Sequence, residues 1–106
     1  MDKWIGKVAI VTGASSGIGK DITIKLVKHG LKVIGCGRNI DNLEKVRGEI
    51  LKDSKGEFIP LQCDVSKEED VLKMFDFVVK NFKALHILIN NAGVNYDVGE
   101  LYFVPI

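Results

Sequence analysis

The chain has 106 residues, enough for one compact domain that buries about two thirds of the surface its unfolded form exposes. Its 15 basic and 14 acidic side chains leave a net charge of +1, so nothing in the charge balance points to a nucleic-acid or membrane partner. With 46% hydrophobic and 27% charged residues it has the make-up of a soluble globular domain, and no run approaches the roughly 18 apolar residues of a membrane span.

The opening Met1-Asp-Lys-Trp-Ile-Gly-Lys7 has no apolar h-region, so secretion is not expected. Cys36 and Cys63 are far apart and do not form a C-x-x-C pair; they read as reduced, structural thiols of a cytoplasmic protein.

Short apolar runs then alternate with longer amphipathic ones, the pattern of a β-α-β-α chain. Val8-Ala-Ile-Val-Thr12 is apolar at every position but the last, as a strand covered on both faces should be. The stretch from Gly17 to His29 predicts a helix with Ile18, Ile22 and Leu26 on one face, Val27 beside them and Gly30 as its C′ residue. Leu31 to Cys36 predicts the second strand. Asn39 or Asp41 can cap the next helix, in which Leu43, Val46 and Ile50 share a stripe and which Asp53-Ser-Lys-Gly56 ends. Phe58 to Cys63 predicts the third strand. Ser66-Lys-Glu-Glu69 has the form of a capping box, opening a helix with Val71, Met74, Phe75 and Val78 turned inward, and Ile87 to Ile89 predicts the fourth strand. Short connections and right-handed crossovers make of this a Rossmann-type α/β fold, a doubly wound parallel sheet of about four strands in the order 3-2-1-4, with a ligand crevice at the switch between strands 1 and 4.

The chemistry-bearing segment is the turn Thr12-Gly-Ala-Ser-Ser-Gly-Ile-Gly19, between the first strand and first helix. Glycines there let the chain turn sharply and let a phosphate approach the backbone, and the helix N-terminus offers free N–H groups and the positive end of its dipole. Gly13, Ser15, Ser16, Gly17, Ile18 and Gly19 are therefore candidate cofactor-binding residues. A P-loop is excluded twice: Ala14 stands where its first glycine should be, and Asp21 replaces the Ser or Thr that would hold magnesium.

The spacing T-G-x-x-x-G-x-G, with Asn90-Asn-Ala-Gly93 after the fourth strand, resembles the classical short-chain dehydrogenase/reductase family over residues 8 to 93. Asp2-Lys-Trp-Ile-Gly-Lys-Val-Ala9, Val33-Ile-Gly-Cys-Gly-Arg38 and Gln62-Cys-Asp-Val65 look most like the group called dehydrogenase/reductase short-chain family member 11 and its insect farnesol-dehydrogenase-like relatives. The resemblance implies an oxidoreductase that transfers hydride between a nicotinamide and an alcohol or ketone. By the same resemblance Asp64 would hydrogen-bond the adenine amino group with Val65 against the ring. Asn91 and Ala92 would lie along the adenosine ribose, Gly93 would let the backbone pass close to the cofactor, and Asn90 would steady the sheet. Full-length members are expected to be homo-oligomers.

At the tip of the second strand, an NAD enzyme usually carries a carboxylate that binds the ribose hydroxyls and repels a 2′-phosphate. Gly37 stands there instead, followed by Arg38, whose guanidinium can bind a phosphate dianion, and by Asn39, a further donor. NADP(H) is accordingly preferred over NAD(H). Glu44, on the next helix, is placed either at the adenine edge or in solvent.

No catalytic residue can be assigned. The family's proton donor is a tyrosine with a lysine four residues on, but Tyr96 is followed at that distance by Glu100 and Tyr102 by Ile106. His29 and His86 read as helix-end and strand-end residues, and no cluster suits a metal. The segment from Val94 to Ile106 is an atypical apolar tail, and with it the fourth strand is expected to be an exposed sheet edge. The expectation is therefore a single partial NADP-binding domain over residues 1–106, a fragment, a truncated gene model or a splice form. The alternatives to an enzyme half are a nucleotide-binding module without turnover and a fragment that pairs its open edge with a full-length homologue.

Overall fold

The computed structural model describes residues 4–15, 17–50 and 54–91, together with the backbone of 102–105. Its elements run β1 (Val8–Thr12), α1 (Gly17–Lys28), β2 (Lys32–Gly37), α2 (Ile40–Glu49), β3 (Glu57–Gln62), α3 (Glu68–Phe82), β4 (Ile87–Asn90) and β5 (Tyr102–Pro105). All strand pairings are parallel, in the order β3-β2-β1-β4-β5. The first four strands stand in the order the sequence implies.

The fifth strand corrects one expectation. β4 is not a sheet edge, because Tyr102–Pro105 lies beside it with Ile87 opposite Tyr102 and Asn90 opposite Pro105. A short apolar segment rich in aromatic and β-branched residues suits such a ladder, and Pro105 ends a strand at the border of the sheet, where a missing ladder N–H is tolerated. The rest of the predicted tail, residues 94–101 and 106, lies outside the described residues. At the opposite border, Pro60 sits mid-strand in β3, which only an edge strand accommodates.

The sheet separates two cores. Ala9, Val11 and Val33 pack with Val27 of α1 and with Leu43 and Val46 of α2 on one face. Val8, Ile10, Ile34 and Leu88 pack with Val71, Met74 and Val78 of α3 on the other. This alternation along strands buried on both sides explains why β1 is buried throughout and apolar from Val8 to Val11; each large side chain so buried contributes about 1.5–3 kcal/mol.

α1 does not present the face its apolar spacing suggests. Gly19, Thr23 and Val27 are buried against the sheet, Ile22 and Leu26 are half-buried, and Ile18 is 59% exposed. Small side chains win the inward stripe because they let the helix approach β1 closely. Gly30 does follow α1 with φ +100°, as a C′ glycine should. His86 is the strand-end residue expected of it: its Nδ1 accepts the Val8 N–H at 3.0 Å, and its own N–H donates to the Val8 carbonyl at 2.9 Å.

Candidate functional site

The C-terminal ends of β1, β2 and β3 open onto one side of the molecule, where three connections meet. In the first, Gly13 and Gly17 have φ of +66° and +57°, a conformation that side chains other than glycine adopt at a cost. Gly19 meets a different demand: a Cβ there would overlap the Gly13 carbonyl oxygen and lie 2.6 Å from Asn91 Nδ2. That contact holds the start of α1 directly beneath the turn, and no acidic side chain occupies the helix's first turn to compete with an anion.

Hydrogen bonds fix the turn to the neighbouring strands. Ala14 N donates to the Cys36 carbonyl at 3.2 Å, Asn91 Nδ2 to the Gly13 carbonyl at 3.1 Å, and Thr12 Oγ1 to Asn90 Oδ1 at 3.2 Å. Asn90 is buried at the end of β4, and Asn91 bridges the ends of β4 and β1.

The second and third connections complete a cleft of about 390 Å³ whose lining includes Gly13, Ser15, Gly37, Arg38, Asp64 and Val65. Five residues singled out in the sequence are brought together there: Gly13, Ser15, Arg38, Asp64 and Val65. Asn39 stands apart from the lining and caps α2, its Oδ1 accepting the Asn42 N–H at 3.1 Å; of the two capping candidates it is the one used, and its amide NH₂ is left to donate elsewhere. Ile18 points outward from the core at the mouth of α1, and Gly17 and Gly19 shape the turn rather than line the cleft. Ser16, Ala92 and Gly93 lie outside the described residues. Glu44 is exposed and pairs with Arg47 at 3.3 Å, the solvent-facing alternative.

Cys36, Cys63 and Ser66 also line the cleft and were not anticipated as part of it. The sequence reading of the two cysteines is of structural thiols, and burial pushes both upward, Cys36 furthest; Cys63 is raised in addition by the Asp70 and Asp64 carboxylates. Cys36 Sγ lies 3.2 Å from Met74 Sδ, and both cysteines are free.

The expected capping box at Ser66 and Glu69 does not form. α3 begins one residue later, with Lys67 at the N-cap position and no side-chain cap. Ser66 instead serves Asp64, whose Oδ1 accepts from both the Ser66 N–H at 3.0 Å and the Ser66 hydroxyl at 2.7 Å. These bonds, and after them the charges of Arg38 and Lys67, hold the Asp64 carboxyl below its ordinary range. Asp64 N donates in turn to Asp70 Oδ2 at 2.9 Å. On the far side of Arg38 and Asp64 lies a second open groove of about 400 Å³, with Gln62, Lys67, Asp70 and Lys73. Gln62 Nε2 donates to the Arg38 carbonyl at 3.1 Å and so steadies the strand tip.

Gly37 carries no such constraint. A Cβ there would meet Leu43 at no less than 3.6 Å, an ordinary contact, so packing leaves room for a side chain that the sequence omits.

The sequence pattern of the short chain dehydrogenase family matches residues 7–103. The chain belongs to that family. Among curated proteins, it is 46% identical over 94 residues to farnesol dehydrogenase of Aedes aegypti, covering 89% of this chain and 38% of the relative. It is 44% identical over 95 residues to dehydrogenase/reductase SDR family member 11 of Gallus gallus, covering 89% of this chain and 37% of the relative, so the likeness to that group holds. A metagenomic short-chain oxidoreductase solved in complex with NADP superposes with a TM-score of 0.79 at 35% identity, covering 91% of this chain and 43% of the other. The chain therefore spans well under half the length of these short chain dehydrogenases. Among the described residues, no helix is long and apolar enough to cross a membrane, and no cluster of potential ligands suits a metal.

Proposed function

We propose that this chain is the NADP(H)-binding part of a short chain dehydrogenase that interconverts an alcohol and a ketone or aldehyde, and that it accepts the adenosine half of the nucleotide in the cleft at the ends of β1, β2 and β3. When bound, the nicotinamide supplies the hydride chemistry. This chain's residues supply the bed for the rest: the Gly13–Gly19 turn for the pyrophosphate, Asp64 and Val65 for the adenine, and Asn91, Ala92 and Gly93 for the ribose side.

The observation that carries the NADP(H) preference is the pair at the tip of β2. Gly37 leaves space where a ribose-binding carboxylate would fit, and Arg38 stands next to it on the cleft wall. Asn39 can add a donor from its amide group while its oxygen caps α2. The buried, free thiols suit a reducing, cytoplasmic setting. The substrate is a small alcohol or carbonyl compound, and the full-length protein is a homo-oligomer.

These 106 residues hold no tyrosine with a lysine four positions on, so the isolated chain binds nucleotide without detectable hydride transfer. The test is a titration with NADPH and NADH, followed by nucleotide fluorescence. Arg38 is exposed, so its bond to a phosphate is discounted for solvent; Arg38→Ala should weaken NADPH about tenfold and leave NADH nearly unchanged. Gly37→Asp should reverse the preference. Equal affinity for the two nucleotides in the parent chain, or NADPH oxidation by the pure chain, would overturn the proposal.

A further inference from the structure

The lip of the cleft is the connection from Cys63 to Lys67, which leaves the sheet and enters α3. Cys63 N is the last group tied back to the sheet, donating to the Gly37 carbonyl at 2.8 Å. Beyond it both backbone groups of Asp64 are held from α3's side: its carbonyl accepts the Lys67 N–H at 2.9 Å, and its N–H donates to Asp70 Oδ2 at 2.9 Å.

Asp70 is not required where it stands for the usual reason. Carboxylates are favoured in a helix's first turn by the dipole, but Glu68 and Glu69 already serve that purpose from exposed positions. Asp70 is half-buried and turned back across the connection, away from its own helix. The box that the sequence suggests between Ser66 and Glu69 is replaced by a reciprocal arrangement on Asp64: Ser66 holds its side chain and Asp70 its backbone. Both side-chain bonds go to Asp64 Oδ1, which leaves Oδ2 for a donor brought by a ligand.

We propose that Asp70 is a positioning residue for nucleotide selectivity: by accepting the Asp64 N–H it sets Asp64 Oδ2 where the exocyclic amino group of an adenine can donate to it, so that adenine is preferred over a purine without that group. The inference rests on the assignment of the cleft to the adenosine half of the cofactor. Its sign follows from hydrogen-bond chemistry. A hypoxanthine ring presents an oxygen where adenine presents an NH₂, and a carboxylate cannot donate to it.

The test compares NADPH with its hypoxanthine analogue, both titrated into the whole 106-residue chain by fluorescence. The parent should bind NADPH about tenfold more tightly, the difference of one hydrogen bond to a charged acceptor. Asp70→Ala should lower NADPH affinity to near that of the analogue while leaving the analogue's own affinity within about twofold, since the analogue makes no use of Asp64 Oδ2. Asp70→Asn, whose amide oxygen still accepts the Asp64 N–H, should keep most of the preference. Should Asp70→Ala fail to melt cooperatively, Asp70→Glu carries the acceptor one methylene further and should reduce the preference in a folded chain. A preference unchanged in the Ala and Glu variants, or an equal loss for both nucleotides, overturns the inference while the cleft assignment stands. A parent chain that does not distinguish the two nucleotides removes the assignment and this inference together.

Discussion

Adding a single methyl group at Gly19 tests the geometry of the turn. In a helix, glycine to alanine normally stabilises by about 0.5–1 kcal/mol, because glycine has more freedom to lose. At Gly19 that gain is opposed, since the new Cβ would overlap the Gly13 carbonyl and press on Asn91 Nδ2 at 2.6 Å. Both contacts are anchored, one being backbone and the other already donating to that carbonyl. Overpacking of this kind costs about 1–3 kcal/mol, and loss of the Asn91 hydrogen bond adds about 1. The net expectation for Gly19→Ala is a loss of about 2 kcal/mol, which lowers the melting temperature by roughly 10 °C in a domain of this size. Gly48→Ala is the matched control. Gly48 is exposed in α2, a Cβ there meets nothing within 4 Å, and the change should raise stability by about 0.5–1 kcal/mol. Thermal unfolding followed by circular dichroism measures both. Opposite signs support the close approach of α1 to the turn; a Gly19→Ala chain as stable as the parent refutes it.

Three further outcomes follow from particular contacts. Asn39→Ala removes the α2 cap and should cost about 1 kcal/mol, whereas Asn39→Asp keeps the cap but sets a carboxylate beside Arg38, so its melt should match the parent while NADPH binding weakens more than NADH binding. The Cys36 and Cys63 thiols should alkylate slowly in the folded chain and quickly once it is denatured. Because folding raises them, the stability linked to them is fully present below the ordinary thiol range and is lost as pH rises beyond that range toward the raised folded values, so the melting temperature should fall there in the parent and less in Cys36→Ser. Asp64 has the opposite sign: its carboxyl is lowered by folding, so its contribution is present above the usual carboxylate range and disappears as pH falls through its folded value. Asp64→Asn should therefore flatten the acid limb of a stability profile, and an unchanged limb would contradict the Ser66 contacts.

Much of this structure is legible in the chain itself because β1 to β4 and their helices are local units whose apolar period, caps and glycines act over a few residues. Val8–Thr12 reads as a doubly covered strand, and Thr12–Gly19 reads as a sharp glycine turn into a helix, since strand, glycines and helix follow one another directly. Four features depend on partners distant in sequence and are not legible. Ile18 looks like a core residue by spacing, yet Gly19 and Thr23 take the inward face because the helix must reach β1 and the turn. Ser66 looks like a cap until Asp64 claims its hydroxyl. Cys36 and Cys63 become cleft wall only when the ends of β2 and β3 are set side by side. Tyr102–Pro105 has no helical period and becomes a strand because β4 offers it an open ladder.

The most direct test of the cofactor-bed assignment is a map of backbone amide shifts in the 15N-labelled chain as NADPH is added. The assignment predicts saturable shifts concentrated at Gly13 to Gly19, at Cys36 to Asn39 and at Cys63 to Ser66, with the outer face of α3 around Leu72 and Val79 unmoved. Shifts scattered over both faces of the sheet, or none at millimolar nucleotide, would contradict it.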